Sequence, residues 1–185
     1  MPDMSDSFTI RLARDEDVAS LNELIPLAVR GLSAGFYTPQ QITSAIAHVF
    51  GVDGQLISDG TYYVAETSDG RLVGCGGWSH RKTMFGGDRT GFKESNDTLL
   101  DPARDAARLR AFFVDPAYSR RGIGKRIVQI SEQAARDAGF TSMELVATLP
   151  GEPLYAACGY RSIERFDIDI PGGVPVPATK MQKPL

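Results

Sequence analysis

The chain has 185 residues, a formal charge of −3 at pH 7, and 42% hydrophobic against 23% charged residues, which excludes a disordered or fibrous protein. The mildly acidic balance argues against a general nucleic-acid binder, because phosphate contacts usually require a strongly basic surface. The length suits one domain that spans residues 1–185 and buries its own core.

The lack of recognisable targeting signals and the low cysteine content favour a cytoplasmic protein. The segment from Met1 to Ser7 has neither the positive region nor the apolar stretch of a signal peptide. No apolar stretch approaches the ~18–20 residues that a membrane span needs. Two cysteines, Cys75 and Cys158, are too few for a disulfide framework or a four-cysteine zinc site. We therefore expect a soluble, cytoplasmic protein with neither a nucleic-acid nor a membrane partner.

The first part of the chain predicts a strand, two helices and a hairpin. Apolar and polar residues alternate over Phe8–Leu12, which suits a strand with one buried face. Apolar residues at helical spacing follow from Val18 to about Arg30. Thr38-Pro-Gln-Gln41 is typical of a capped helix start with proline at the first helical position. The next predicted elements are strands over 61–67 and 71–78, joined by a tight turn at Asp69-Gly70.

The second part alternates strands with helices. The segment 79–105 is weakly patterned, and a loop of that length in a compact domain is usually functional or mobile. The order of the elements predicts an α/β fold with a mixed, twisted sheet of about six or seven strands flanked by helices. The remaining predicted elements are a strand over 108–114, a helix over 122–138, a strand over 142–147, a short helix over 153–158, and strands over 161–170 and 178–182.

The most informative segment joins the strand and the longer helix of this second part. Gly122 and Gly124 open the helix beside Arg120, Arg121 and Lys125. Glycines let a backbone approach a ligand closely, and a helix N-terminus offers unpaired N–H groups with a partial positive charge. The turn therefore predicts a site for phosphate or pyrophosphate.

Two common nucleotide-binding motifs do not fit this turn. The P-loop needs a glycine where Ser119 stands and a serine or threonine where Arg126 stands. The dinucleotide motif needs its third glycine where Ile127 stands. A tight strand-to-helix turn beside solvated arginines is the purely structural alternative.

Val114-Asp-Pro, followed by Arg120-Arg-Gly-Ile-Gly124 and an amphipathic helix, resembles the acyl-CoA signature of the GNAT superfamily of N-acetyltransferases. The resemblance implies a single-domain GNAT fold, and a β-bulge that aims an amide at the acetyl carbonyl. It assigns the pantetheine arm to the strand residues Phe112, Phe113 and Val114. It assigns the CoA pyrophosphate to the loop residues Arg120, Arg121, Gly122, Ile123, Gly124 and Lys125.

A second match lies downstream, where Leu154-Tyr-Ala-Ala-Cys-Gly-Tyr160 resembles the family's Leu-Tyr-x-x-x-Gly-Phe helix. The resemblance makes Tyr155 the general acid that protonates the departing CoA thiolate. A phenol of pKa ~10 suits a thiolate of similar basicity. The alternative for Tyr155 is core packing. Two positions depart from the family pattern: Ser119 stands in place of glutamine or arginine, and Thr148 in place of an asparagine.

The resemblance implies an acetyl-CoA-dependent N-acetyltransferase that acts on a primary amine of a small molecule by direct attack, without a metal. Acetylation of a protein amine and a non-catalytic acyl-CoA sensor are the alternatives. A third alternative, which fits the motifs less well, is a nucleotide-binding protein that uses the basic turn. The sequence is compatible with a monomer or a homodimer.

The sequence offers no decisive general base. His80 titrates in the useful range, although an exposed or capping histidine suits it better. Glu144 follows the signature helix, but the position that often carries a glutamate in relatives is Val146. The other carboxylates considered are better explained as solvated surface groups: Asp88, Glu94 and Glu164.

In this family the acceptor amine would lie beside the first two helices, with residues 31–37 between them, and beside the loop 79–105. Trp78 either borders this acceptor side or belongs to the core. Cys75 and Cys158 are expected to pack in the core rather than to carry acyl groups. The aromatic residues expected on the acceptor side are Phe36, Tyr37, Phe85 and Phe92.

Overall fold

The computed structural model describes residues 7–88 and 98–185. Its strands are β1 (Phe8–Leu12), β2 (Tyr62–Thr67), β3 (Leu72–Ser79), β4 (Ala107–Val114), β5 (Ser142–Thr148), β6 (Arg161–Ile168) and β7 (Val176–Pro184). Its helices are α1 (Val18–Ser33), α2 (Pro39–His48), α3 (Gly54–Ser58), α4 (Ile123–Asp137) and α5 (Glu152–Ala157).

All seven strands join one mixed sheet in the order β1-β2-β3-β4-β5-β7-β6, which confirms the predicted fold class. Neighbouring strands are antiparallel except β4 and β5. That parallel pair is short, with Ala107 opposite Met143 and Arg108 opposite Glu144. Past Arg108 the described backbone of β4 has no strand partner on the β5 side, so the sheet opens between the carboxyl halves of these strands.

The second half of β4 contains the bulge that the resemblance implies. Its register against β3 jumps from Cys75↔Phe113 to Gly77↔Arg110, so β4 advances one residue more than β3. Ala111 has a φ of 59°, which is costly for a residue with a Cβ. The buried Tyr62 hydroxyl donates a hydrogen bond of 2.9 Å to the Ala111 carbonyl and so supports the bulge.

Helices cover the two faces of the sheet. Consecutive residues of a strand point to opposite faces, and Val64 packs with α1 whereas Ala65 packs with α4. On the α4 face, Gly74 allows a close approach, because a Cβ there would lie 2.5 Å from Ile123 Cγ2. The first turn of α4 is thereby fixed against β3, beside the opening of the sheet.

Most predicted elements are present within a few residues of their expected bounds. The capping box at α2 is confirmed: Gln41 N–H donates to Thr38 Oγ1 at 3.2 Å, and Thr38 N–H donates to Gln41 Oε1 at 2.9 Å. The sequence analysis missed α3, because its five residues give no apolar periodicity; Asp53 caps it. No helix within the described ranges is both long and apolar enough to cross a membrane.

Candidate active site

The opening between β4 and β5 leads into a cavity of about 850 Å³, called here the larger cavity. Its volume lies within the range of about 300–1,000 Å³ that is typical of small-molecule and cofactor sites. Parts of α1 also line it, together with Phe36 and Phe50. Its main lining comes from Phe112, Phe113, Val114, Tyr118, Ser119, Arg120, Gly122, Ile123, Gly124, Lys125, Thr148, Pro150, Gly151, Pro153, Leu154, Tyr155 and Ala157.

The N-terminus of α4 borders the larger cavity and is open to a ligand. Gly122 is the N-cap at a φ of 83° and provides no side-chain acceptor for the N–H groups of the first turn. A Cβ on Gly122 would have nothing within 4 Å, so the space beside it is free of protein. Arg120 and Lys125 line the same cavity. Free helical N–H groups beside two cations suit a phosphate group.

Among the predicted cofactor-binding residues, Arg121 is the one that does not line the larger cavity. Its guanidinium lies 4.8 Å from the centroid of the Tyr118 ring, and Nη2 donates to the Ala117 carbonyl at 3.3 Å. Gly124 has a packing role that the motif did not predict: a Cβ there would lie 2.8 Å from Leu154 Cδ2, so glycine lets α5 approach α4.

Tyr155 lies on α5 with 8% of its surface exposed and belongs to the core cluster between α4 and the sheet. Its ring packs edge to face against Phe112 at 6.0 Å and Tyr160 at 6.1 Å. Burial raises the pKa of Tyr155 well above its usual value, so the phenol keeps its proton at neutral and moderately alkaline pH. Tyr155 therefore packs in the core and also lines the larger cavity.

A second cavity of about 70 Å³, called here the smaller cavity, lies against the bulge of β4. The two cavities share the lining residues Phe50, Phe112, Phe113, Thr148 and Tyr155. They therefore meet where β4 is bulged and separated from β5. The remaining residues of the smaller cavity are Val49, Gly51, Met84, Phe85, Gly86, Gly87, Leu109, Arg110, Ala111 and Val146.

The described lining of the smaller cavity contains one cation. Among the described residues that line it, only Arg110 and Tyr155 carry ionisable side chains. The Arg110 side chain is 1% exposed and forms an ion pair with the fully buried Asp53. It also donates to the Gly86 carbonyl at 3.1 Å. The sequence analysis missed Arg110, since an arginine that alternates with apolar residues in a strand is typical of a solvent-facing position.

The candidate bases in the described part of the chain line neither cavity. His80 lies 3.7 Å from Asp59 at the end of β3. Glu144 is held between Arg108 and Lys180, the latter at 3.2 Å. Asp88 accepts the backbone N–H of Gly54, Glu164 lies on the exposed edge strand β6, and Glu94 lies outside the described residues.

The expected acceptor-side aromatics separate into different roles. Phe85 lines the smaller cavity, whereas Phe36 lines the larger one. Tyr37 is structural: its hydroxyl donates to the Pro177 carbonyl at 2.6 Å and accepts the Leu149 N–H at 2.9 Å. Phe92 lies outside the described residues.

Of the two possibilities for Trp78, the structure shows the core, and the two cysteines differ in burial. Trp78 packs edge to face against Phe140 at 6.1 Å and lines neither cavity. Cys75 is fully buried, and burial raises the pKa of its thiol to about 12, which leaves almost no thiolate to carry an acyl group. Cys158 is only half-buried.

A protein-family model matches more than half of the chain. Residues 33–160 match the sequence profile described as Acetyltransferase (GNAT) family. This range includes β2 to β5 and α2 to α5, and with them most residues of both cavities. No curated protein sequence matches the chain.

Solved structures share the fold over nearly the whole chain. An N-acetyltransferase from Rhodopseudomonas palustris superposes with a TM-score of 0.68 at 21% identity, over 96% of this chain and 95% of that one. PaiA N-acetyltransferase from Thermoplasma acidophilum, in complex with coenzyme A, superposes with a TM-score of 0.63 at 18% identity, over 97% of this chain and 99% of that one. YncA from Salmonella typhimurium, with its cofactor acetyl-CoA, superposes with a TM-score of 0.61 at 18% identity, over 97% of this chain and 94% of that one.

Proposed function

Because the chain belongs to the GNAT acetyltransferase family, we propose that it transfers the acetyl group of acetyl-CoA to a primary amine of a small molecule by direct attack. The observation that carries the proposal is the junction of two cavities of very different size at one buried phenol, Tyr155. A cofactor-sized cavity alone would suit a binding module. The second cavity supports a transferase, because it would hold the acceptor beside the cofactor.

The residues of the larger cavity fit CoA. The pyrophosphate would lie at the N-terminus of α4, held by the N–H groups of its first turn and by Arg120 and Lys125. The pantetheine arm would pair with the backbone of Phe112–Val114, since this half of β4 has no strand partner on its β5 side within the described residues. Arg121 would stabilise the loop through Tyr118 rather than contact the phosphates.

The residues at the junction suit acetyl transfer. Acetyl-CoA supplies an activated thioester. The bulge leaves Ala111 and Phe112 without a register partner in β3. A backbone N–H of this segment would therefore be available to the thioester oxygen. Tyr155 holds a proton on its phenol oxygen at the same place and would give it to the sulfur of CoA.

The acceptor would enter as a neutral amine through the smaller cavity. None of its described lining residues is a carboxylate or a histidine, so the proton that the amine loses would pass to water. Val146 stands there in place of a base. A cavity of about 70 Å³ admits a small molecule more readily than a folded protein surface.

The test is a thermal-shift series with acetyl-CoA, CoA, ATP and NAD, followed by thiol detection with a panel of primary amines. A specific ligand at 100 times its dissociation constant stabilises a fold by about 2.7 kcal/mol. We expect only the CoA compounds to raise the midpoint, and free CoA to appear when an amine is added. Stabilisation by ATP but not by CoA would overturn the proposal. CoA binding with no thiol release from any amine would favour an acyl-CoA sensor.

A further inference from the structure

Arg110 has unused hydrogen-bonding capacity beside the smaller cavity. Its Nε and Nη1 atoms are buried and have no hydrogen-bond partner among the described residues. Only Nη2 is engaged, by Asp53 and by the Gly86 carbonyl. A guanidinium offers five N–H donors, and buried donors without acceptors are unfavourable in a native protein. A buried arginine with free donors beside a cavity is suited to bind an oxygen acceptor.

The surroundings of Arg110 cannot easily supply the missing acceptor. Asp53 is the nearest carboxylate, and it already accepts from Arg110 Nη2 and from the Leu56 N–H as the cap of α3. Among the described lining residues of the cavity, the other polar side chains are the Thr148 hydroxyl and the Tyr155 phenol, and none is a carboxylate. The site therefore has donors in excess, and the group that complements it is an oxygen acceptor, best of all a negatively charged one.

We propose that the acceptor is a primary amine that also carries a carboxylate, an amino acid in the broad sense, and that Arg110 binds this carboxylate. The inference rests on the proposed function, since it takes the smaller cavity to be the acceptor site. Arg110 would be a specificity-determining residue, because it separates amino acids from neutral amines of the same shape.

The size of the smaller cavity also limits the length of the acceptor. A volume of about 70 Å³ agrees with a molecule whose amine and carboxylate are separated by few bonds, as in α- and β-amino acids. Arg110 and Phe112 line this cavity on either side of the bulge at Ala111, and Phe112 also borders the larger cavity.

The experiment compares acids with their amides. Calorimetry of the wild-type protein, with and without CoA, measures the binding of N-acetylglycine and N-acetylglycinamide, which differ in the negative charge. In parallel, thiol release is measured with glycine, β-alanine and their amides. The amides have the less basic amines, so a preference for the acids cannot come from amine ionisation. We expect the acid to bind at least tenfold more tightly and to react with the higher kcat/KM.

Three variants test whether Arg110 causes this preference. Arg110→Gln removes the charge, the double variant Arg110→Gln/Asp53→Asn also keeps the buried pair neutral, and Arg110→Lys keeps the charge. The matched control is Arg108→Gln, an ion-paired arginine of the same strand that lines neither cavity. The midpoint shift with CoA reports that each variant is folded. We expect the preference for acids to vanish in both glutamine variants at position 110 and to persist in Arg110→Lys and in the control.

Two results would overturn the inference. One is equal binding of the acid and the amide by the wild-type protein, and the other is an acid preference that survives Arg110→Gln. Either result leaves the proposed function intact if thiol release from neutral amines continues. Conversely, failure of CoA to bind would remove the proposed function, while calorimetry without CoA would still decide whether Arg110 binds a carboxylate.

Discussion

The larger and the smaller cavity meet at Tyr155 but are built in different ways. The larger one takes most of its lining from two contiguous stretches, 112–125 and 148–157. The smaller one combines short pieces from five parts of the chain: 49–51, 84–87, 109–113, 146–148 and Tyr155. The cofactor half of the site is thus a local structure, whereas the acceptor half depends on the packing of distant segments.

The polar groups of the two cavities differ as well. In the larger cavity they are backbone N–H groups and solvated cations, which suit phosphates. In the smaller cavity they are a buried guanidinium and a buried phenol. Changes in the first set should therefore alter CoA affinity, and changes at the junction or in the second set should alter turnover and choice of acceptor.

Tyr155→Phe should have the largest effect, because it removes the proton donor at the junction. A general acid contributes about 10²–10⁴ in rate. We expect kcat to fall within that range while the dissociation constant of CoA stays unchanged, as measured by steady-state thiol release and calorimetry. The matched control is Tyr160→Phe, a buried neighbour that lines neither cavity. Comparable loss of kcat in both variants would mean that Tyr155 acts through packing alone.

Gly122→Ala should weaken CoA binding in the larger cavity without altering the smaller one. The added Cβ would occupy the open space at the N-terminus of α4, and the φ of 83° disfavours it. We expect CoA binding to weaken about tenfold, equivalent to about 1.4 kcal/mol, with little change in kcat at saturating CoA. Gly139→Ala is the control, since Gly139 has a φ of 91° at the other end of α4. Equal CoA affinity of the two variants would contradict a phosphate site at Gly122.

Tyr62→Phe should weaken the bulge of β4 and so lower turnover without altering CoA binding. The change removes the hydrogen bond to the Ala111 carbonyl, which is worth about 1 kcal/mol. We expect kcat to fall by about fivefold, since about 1 kcal/mol corresponds to that factor, while CoA affinity is retained. Tyr63→Phe, on the adjacent residue of β2, is the control. An unchanged kcat in Tyr62→Phe would show that the bulge forms without this hydrogen bond.

The pH dependence of kcat/KM should show the smallest effect. The neutral fraction of the amine rises with pH, so the rate should rise. A tyrosine with an ordinary pKa would be half ionised at about pH 10 and the rate would then fall. Because burial raises the pKa of Tyr155, the phenol stays protonated and no falling limb should appear below about pH 10. A rate maximum near pH 9 would imply a more solvated Tyr155.

Much of the fold could be predicted because its signals are local. The capping box of α2 and the glycines at the start of α4 each act within a few consecutive residues. The helix α3 was missed for the complementary reason. It is too short to show an apolar periodicity. Its capping residue, Asp53, is also held by Arg110, which lies 57 positions away in the chain.

The order of the strands and of the longer helices, the basic glycine turn and the tyrosine helix could all be predicted from the sequence, because backbone conformation and helix N-termini depend on adjacent residues. Only the tertiary structure decided that β4 leaves β5 after Arg108, that Tyr155 lies where two cavities meet, and that Arg110 is buried beside the acceptor cavity. These features arise from strand register and from contacts between segments far apart in the chain. Such contacts leave no local pattern: an arginine in a strand has the same sequence signature whether it faces solvent or a buried carboxylate.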